Sequence, residues 1–472
     1  MLWRLLVPIL VVTAAFVGCT QSPQAPAAVA TNAAKVNLTR PELKAPTFLA
    51  PVDLGVVTLG SEPSVAVAPD STVYVATPGG STWRSDDAGK TFKALGKPTC
   101  IAPLPACPTS ENDGNGIDDG GDASLAVAPN GTVWSAGLGG SAGAVPVQSS
   151  LDKGASWSKS YDVALKNGSD REWVVANKTG SVFVSWRDFG ASASCNDPTG
   201  ASCPAAPSGL LMARLDPGQP WSKPVKVSAD GHEGPIAVDN ASDWIYLPHV
   251  DTQKSVMVAR SMDGGRTWQD VAAAPLHADT YDFPIATVDA AGNVYVVWNT
   301  DPSEPDDMQG GVAANNVIVP QVYYALSKDH GATWSKPAAL SPAGVPALFP
   351  WAVAGSEGRL AVAWYEGTAP TPSDRVPNVW HVAVDMSVTA DAEKAAFKEA
   401  FVSSSPNHVG PICTEGLLCS LTGADRSLLD FFEIRLLPDG SPVLAFVGDA
   451  DVRMATVHVY ASRMTEGTSM LG

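Results

Sequence analysis

Six carboxylates stand at matching places along this 472-residue chain, and their recurrence is the first sign of chemistry. Glu62, Asp122, Asp170, Glu233, Asp282 and Asp430 each immediately precede one of seven related apolar stretches. Gathered at one point, like charges raise one another's pKa values, so such a ring would form a negatively charged funnel that holds a cation or cationic ligand, or supplies acid/base groups. The same carboxylates would equally serve to accept hydrogen bonds from neighbouring backbone N–H groups and organise the start of each strand. A second oxygen-rich set, Asp113, Asn115, Asp118 and Asp119, lies between glycines just ahead of Asp122. Ca2+ takes roughly six to eight oxygen ligands, which suits this loop; it lacks the distal Glu of an EF-hand, and an ordinary solvated loop has the same composition. No other cofactor is called for: the chain has no nucleophile elbow, P-loop, dinucleotide fingerprint or zinc-protease helix. Of the scattered histidines, His249 alone ends a strand on the side of the carboxylates, where a lone His is more often structural than catalytic.

What would gather these groups is a repeat. The seven stretches are PSVAVAPDSTVYVAT from Pro63, ASLAVAPNGTVWSAG from Ala123, REWVVANKTGSVFVSW from Arg171, GPIAVDNASDWIYLPH from Gly234, FPIATVDAAGNVYVVW from Phe283, FPWAVAGSEGRLAVAW from Phe349 and FFEIRLLPDGSPVLAF from Phe431. Val, Ile, Tyr and Trp around Asp, Asn and Gly turns predict an A–B strand hairpin in each. A second phrase, Ser-x-Asp-x-Gly-x-(Thr/Ser)-(Trp/Phe), follows four of them, at Ser85 to Phe92, Ser150 to Trp157, Ser261 to Trp268 and Ser327 to Trp334, with a worn copy, RLDPGQPW, at Arg214 to Trp221. In each copy the Gly supplies a positive φ, the Asp accepts backbone N–H groups across the turn, and the aromatic opens the next strand. Asp86, Asp152, Asp263 and Asp329 are thereby consumed by their own loops rather than free for acid catalysis.

The second phrase resembles the Asp-box, or bacterial neuraminidase repeat, of the sialidase superfamily of β-propellers. The resemblance implies an all-β fold of four-stranded antiparallel blades, with the phrase as the turn between strands C and D. Seven hairpins predict seven blades. Val457 to Ser462 is the third strand of the last, and the otherwise unpartnered VDLGVVTL from Val52 to Leu59 supplies its fourth, so that a strand from the N-terminal side closes the ring and no edge is left open. Sialidases have six blades, which keeps a six-bladed sialidase-like propeller as the alternative. The C–D turns mark the bottom of such a propeller. The long insertions, Gly96 to Gly121, Asp188 to Ser208, Thr300 to Pro320, Gly367 to Asn378 and Ser404 to Leu429, then fall with the acidic funnel on the top face, where binding function lives.

Sialidases clamp a substrate carboxylate with three arginines, use a Tyr nucleophile activated by a Glu, and protonate through an Asp. Carried onto this chain, the resemblance offers Arg171, Arg187, Arg375 and Arg426 for the clamp, and Tyr281, Tyr365, Glu366, Asp188 and Asp301 for the remaining roles. The family's Arg-Ile-Pro phrase is absent. Tyr365 and Glu366 are neighbours that point to opposite faces of a strand, and Arg187 with Asp188 would also make a structural ion pair. The expectation is therefore a propeller whose top face binds a carbohydrate or protein ligand; the alternative is a glycoside hydrolase of sialidase type, removing terminal sugars from glycans.

The net charge of −18, with no Lys/Arg cluster, excludes nucleic acid or an anionic membrane surface as a direct partner. Arg4 followed by an apolar run from Leu5 to Val17 is too short to span a bilayer and reads as an export signal. It ends in Phe16-Val17-Gly18-Cys19, which resembles a bacterial lipobox with Cys19 lipidated; an ordinary cleaved signal with an incidental Cys is the alternative. The expected organisation is a signal over 1–18, an Ala/Pro-rich tether over 19–47, and one propeller domain over 48–472. The six other cysteines fall into close pairs, Cys100 with Cys107, Cys195 with Cys203, and Cys413 with Cys419, which read as disulfides of an oxidising compartment. The partners expected are a glycan or cell-surface protein and, through the lipid anchor only, a membrane. The protein is expected to be an exported monomer on the bacterial cell envelope, at the outer membrane or cell surface.

Overall fold

The computed structural model describes residues 40–57, 62–78, 80–96, 122–138, 144–158, 160–164, 169–189, 209–229, 231–251, 255–275, 283–300, 319–369, 378–414, 419, 424–449 and 457–472. They form seven antiparallel sheets whose strands follow chain order. Blade 1 holds Ser64–Val67, Val73–Ala76, Thr82–Ser85 and Lys93–Gly96 as strands A to D; blade 2 holds Ala123–Val127, Val133–Gly137, Pro146–Ser150 and Tyr161–Asp162. Blade 3 comprises Ser169–Ala176, Val182–Asp188, Gly209–Leu215 and Val225–Ser228. In blade 4 the A strand is split into His232–Glu233 and Ala237–Val238 around Pro235, which has no N–H to give, ahead of Ile245–Val250, Ser255–Ser261 and Gln269–Pro275. Blade 5 uses Ile285–Val288, Val294–Thr300, Gln321–Ser327 and Ala338–Ala339; blade 6 uses Ala347–Ala354, Leu360–Gly367, Asn378–Ser387 and Phe397–Phe401.

Blade 7 has Glu433–Leu436, Pro442–Gly448 and Val457–Glu466, and its outer place is taken by Val52–Val57, paired from Val52 opposite Ala461 to Val57 opposite Val457. The fold is thus the all-β, seven-bladed propeller that the seven hairpins predict, closed by an N-terminal strand, and not the six-bladed alternative. The B strands of blades 5, 6 and 7 are buried at every position, because each lies between neighbouring blades and must be apolar on both faces.

The four copies of the Ser-x-Asp phrase form one turn, repeated. In the copy between strands C and D of blade 4, Ser261 Oγ donates to Asp263 Oδ1 at 2.8 Å and accepts the Gly265 N–H at 2.8 Å. Asp263 Oδ1 takes the Thr267 N–H at 2.9 Å, and its Oδ2 takes the Thr267 hydroxyl at 2.7 Å. Gly265 has φ +84°, and a Cβ there would stand 2.2 Å from Met212 Cε, so only Gly fits. In blade 1 the Asp of the turn is Asp87, which holds Ser85, Lys90 and Thr91, and not Asp86. Asp86 instead bridges Arg84 and Lys93 on the outside of the turn. The worn copy shows why the phrase is strict. Pro220 stands where the others have Thr or Ser and has no N–H, so Asp216 turns instead to Arg214 Nε at 2.6 Å and Ser181 Oγ at 2.7 Å.

The axis is filled rather than open. Trp173 of blade 3, Phe283 before blade 5, Trp351 of blade 6 and Phe431 before blade 7 meet across it with ring centroids 5.0 to 5.9 Å apart. Below this plug lies a cavity of about 460 Å³ lined by Val67, Val127, Ala176, Val238 and Ala354, with Leu471 also at its wall. Polar links join the inner strands: Glu433 accepts Ser64 Oγ at 2.9 Å and the Val65 N–H at 3.0 Å, joining blade 7 to blade 1. Residues 40–47, read by composition as the end of the tether, lie against the propeller: Arg40 forks onto the Asp391 carboxylate, and the Lys44 N–H donates to Thr468 Oγ1 at 2.7 Å. Contacts with the propeller are thus made by residues ahead of Phe48. Arg40 also lies against Gly358, in the A–B turn of blade 6, on the face that carries the C–D turns.

Candidate functional site

The opposite face, where the A strands begin, gathers the carboxylates. The decisive local feature is a β-bulge in blade 3. Asp170 pairs with Arg187 and Trp173 pairs with Ser185, so the A strand carries one residue more than its partner. Arg171 sits in the bulge at φ +53°, a conformation uncommon for a side-chain-bearing residue and one that re-aims its side chain. Its guanidinium lies 4.4 Å above the Phe283 ring, on top of the aromatic plug, and reaches Asp430 Oδ2 at 3.2 Å. Arg426 donates to the same oxygen at 2.7 Å, and the Asp430 N–H donates to Glu62 Oε1 at 3.2 Å. Glu62 in turn hydrogen-bonds to Asp122.

The resulting mouth has Glu62, Asp122, Asp170, Glu172, Glu233 and Asp430 in electrostatic reach of Arg171 or of one another. Burial pushes Glu62 well above the usual carboxylate range, and the charges of Asp122 and Asp430 add to this against the pull of Arg171 and Arg426. Asp122 is pushed up to about 6, by burial first and then by Asp170. Burial likewise raises Glu172 and Glu233 far above normal; both are fully enclosed, and neither carboxylate accepts a hydrogen bond from another described residue. Burial alone would lower the Arg171 pKa, but Asp430, Asp170, Asp122 and Glu62 together outweigh it and raise it. Chemically, the cluster crowds mostly buried carboxylates, several with raised pKa values, around the guanidinium groups of Arg171 and Arg426.

The sequence-predicted residues divide sharply. Glu62, Asp122, Asp170, Glu233, Asp430, Arg171 and Arg426 are brought together. Arg187 lies opposite Asp170, lays its guanidinium 4.9 Å from the Phe189 ring, and lowers the pKa of Glu233 by its charge. Asp188, buried, faces Ser169. Tyr365 goes elsewhere. It is fully buried between blades 6 and 7 against Phe349 and Phe432, and its hydroxyl accepts the Val447 N–H at 3.1 Å. Burial raises its pKa, the wrong direction for a nucleophile. Glu366 accepts Trp364 Nε1 at 2.9 Å and is pushed up to about 7, by burial first and then by Glu399. The Tyr365–Glu366 pair therefore makes no catalytic couple. His249 is buried and bonded to Asp270 at 3.0 Å, as a structural histidine would be.

Tyr281, Asp282, Asp301, Arg375, the Ca2+ candidates Asp113, Asn115, Asp118 and Asp119, the lipobox Cys19, and the pairs Cys100 with Cys107 and Cys195 with Cys203 lie outside the described residues. Cys413 and Cys419 form the predicted disulfide. Two functional candidates escaped the sequence reading. Glu172 interrupts an apolar run where the matching stretch from Phe349 has Pro350, a signal that was there to be read. The other is a cluster of His408 and Asp425, both on the connection between blades 6 and 7, with Asp449 at the end of a blade 7 strand, which share no local pattern.

No protein-family profile matches the chain, and no curated protein matches it. Among solved structures it is similar to a protein of unknown function from Dyadobacter fermentans, at 12% identity over 90% of this chain and 98% of that one, with a TM-score of 0.43. It is also similar to a GH74 xyloglucanase from Xanthomonas campestris, at 14% identity over 85% of this chain and 54% of that one, TM-score 0.47. A third is the NanB sialidase from Streptococcus pneumoniae, at 14% identity over 88% and 70%, TM-score 0.41. Likeness at this level speaks to no activity.

Proposed function

We propose that this protein is an exported, lipid-anchored propeller that binds a glycan or a cell-surface protein in the axial mouth of its top face. The observation that carries the reading is the convergence of Arg171 and Arg426 on Asp430, beside Glu62 and Asp122 and over a sealed aromatic floor. Buried carboxylates and fixed guanidinium groups recognise hydroxyl and amine donors and anionic or carbonyl acceptors respectively, the mixed pattern that a sugar or a polar peptide presents. The repeated turns are read as Asp-boxes of the sialidase superfamily, and the polar stretch ahead of Arg40 as the tether from a lipidated Cys19.

Hydrolysis is the second reading, and the buried Tyr365 hydroxyl speaks against the sialidase form of it. The test is a glycan-binding array run beside a fluorogenic panel of sialosides and other glycosides, with and without EDTA. Binding without turnover, lost in Arg426→Ala, is the expected result. Turnover abolished by Arg187→Ala would replace the binding reading with an enzymatic one.

A further inference from the structure

The cluster of His408, Asp425 and Asp449 lies between blades 6 and 7, beside the axial mouth, with Asp425 directly before Arg426. His408 belongs to a short strand, His408–Gly410, that pairs with the start of the blade 6 C strand. Asp449 directly follows the B strand of blade 7, and Asp425 lies on the connection leading into that blade. The imidazole is fully enclosed, whereas the Asp425 side chain keeps 34% of its exposure. Asp449 Oδ1 sits 2.6 Å from Nδ1, a hydrogen bond that a proton on Nδ1 donates, so that the neutral ring carries its lone pair on Nε2.

That lone pair faces only acceptors. The Pro411 carbonyl oxygen is 3.4 Å away and Asp425 Oδ2 is 3.8 Å away. As an imidazolium the ring donates from Nε2 to these oxygens; as the neutral ring it offers Nε2 to a cation that both oxygens share. A divalent metal holds N and O ligands at about 2.0–2.2 Å, which sets neighbouring ligands roughly 3–3.6 Å apart; the Pro411 oxygen at 3.4 Å lies in that range and Asp425 Oδ2 at 3.8 Å just beyond it. The Asp449–His408 bond is also the usual outer partner of a metal-bound imidazole, fixing its tautomer and orientation.

The surroundings hold the ligand atoms in place. Asp425 Oδ1 accepts the Ser427 N–H at 2.9 Å, so its Oδ2 is turned toward the histidine. The Cys413 N–H donates to the Asp425 carbonyl at 2.7 Å, tying the disulfide-bonded loop that follows Pro411 to the segment that carries Asp425. Gly410, at φ +154°, forms the wall: a Cβ there would stand 3.1 Å from Nε2 and 3.6 Å from Asp425 Oδ2, in the space between them.

We propose that His408 Nε2, Asp425 Oδ2 and the Pro411 carbonyl form a divalent-metal site, with Asp449 as the positioning residue and solvent completing the coordination on the exposed Asp425 side. Imidazole with carboxylate and carbonyl oxygen is a zinc-class donor set, since Ca2+ and Mg2+ favour oxygen alone. The site shares no ligand with the axial mouth, although Asp425 directly precedes Arg426 in the chain.

The test is isothermal titration of the chelator-treated full-length protein with Zn2+, alongside Co2+ absorption. One Zn2+ per chain is expected to bind through this site. His408→Ala and Asp425→Asn remove that binding step and the Co2+ ligand-field bands. Asp449→Asn weakens affinity about 10- to 100-fold while leaving the stoichiometry intact. Asp425 is partly exposed, so Asp425→Asn keeps the proposal falsifiable if His408→Ala does not fold. Absence of Zn2+ binding, or binding unchanged in Asp425→Asn, overturns the proposal. So does a His408 ring that NMR shows protonated at both nitrogens at pH 7 with Zn2+ present.

Discussion

Blades 3 and 6 are built on one template and filled with opposite chemistry. Each carries the same bulge in its A strand: Asp170 opposite Arg187 and Trp173 opposite Ser185 in one, Leu348 opposite Tyr365 and Trp351 opposite Ala363 in the other. The bulged residues Arg171 and Phe349 have φ of +53° and +55°. Trp186 and Trp364 occupy the same B-strand position and are both fully buried. Against this shared frame, Asp170, Arg171, Glu172 and Arg187 replace Leu348, Phe349, Pro350 and Tyr365. The bulge is therefore scaffold, and the polar substitutions it carries in blade 3 are what make a site. The same comparison explains Tyr365: it occupies the position of Arg187 on the blade that was filled with hydrocarbon.

The shared part of the template should respond alike in both blades. Trp173→Ala and Trp351→Ala each remove one ring of the axial plug, and each is expected to cost about 3–5 kcal/mol in urea unfolding. A large difference between them would mean that the plug is not one packed unit, and would break the equivalence of the two blades.

The bulge residues themselves should respond differently. Phe349→Leu trims a buried ring and costs about 1–2 kcal/mol at any pH. Arg171→Leu leaves Asp430, Glu62 and Asp122 with Arg426 as their remaining fixed partner, at a cost of about 3 kcal/mol at pH 7. That cost should shrink as pH falls and the carboxylates take up protons. Unfolding measured at pH 7 and pH 5 separates the two variants, and a cost for Arg171→Leu that ignores pH would show that its role is packing.

The fold was legible and the template was not, for physical reasons. Runs of Val, Ile, Tyr and Trp around Asp, Asn and Gly turns marked every hairpin, and VDLGVVTL betrayed itself as a strand without a partner in sequence, which is why ring closure could be read. The stretches from Arg171 and from Phe349 align without a gap, yet a bulge depends on how many residues the partner strand supplies, and single-strand patterning carries no record of that. Tyr365 and Glu366 were expected to face opposite sides of a strand, which holds, but in a propeller both sides of a B strand are interior. In SDDAGKTF the spacing of the phrase already selects Asp87, two residues after Ser85, so the expectation of Asp86 misplaced the turn by one residue. Arg40 lay in a polar tract whose composition cannot reveal a carboxylate waiting at Asp391.

Titration should distinguish the mouth of blade 3 from the turns on the other face. A carboxyl with a raised native pKa binds its proton more tightly folded than unfolded, so its protonation favours the fold below the unfolded pKa of about 4 and that advantage is lost as pH rises through the native value. For Asp122 the window runs from about 4 up to about 6. Asp122→Asn should therefore gain about 2 kcal/mol relative to wild type between pH 4 and pH 7. The turn residues Asp87, Asp152, Asp263 and Asp329 are held down at about 2 by their hydroxyl and N–H donors, with burial opposing, so their contribution is present above about pH 4 and fades toward pH 2. Denaturation across pH 2–8 reads both slopes, and a wild-type curve without a fall between pH 4 and 6 would remove the case for a crowded mouth.

The smallest effect concerns the worn turn, where blade 3 departs from its neighbour. In blade 4, Asp263 closes its own turn with one backbone and one hydroxyl bond to Thr267, so Asp263→Ala should cost about 1–2 kcal/mol. In blade 3, Pro220 removed that N–H, and Asp216 serves Arg214 and Ser181 at a partly exposed site; Asp216→Ala should cost under about 1 kcal/mol. Restoring Thr at Pro220 alone should not rescue the turn, because Arg214 still stands where the other copies have the Ser that both fixes the Asp and takes the Gly N–H. Only Arg214→Ser with Pro220→Thr supplies both partners, and a double variant more stable than either single one would show that the phrase works as a unit.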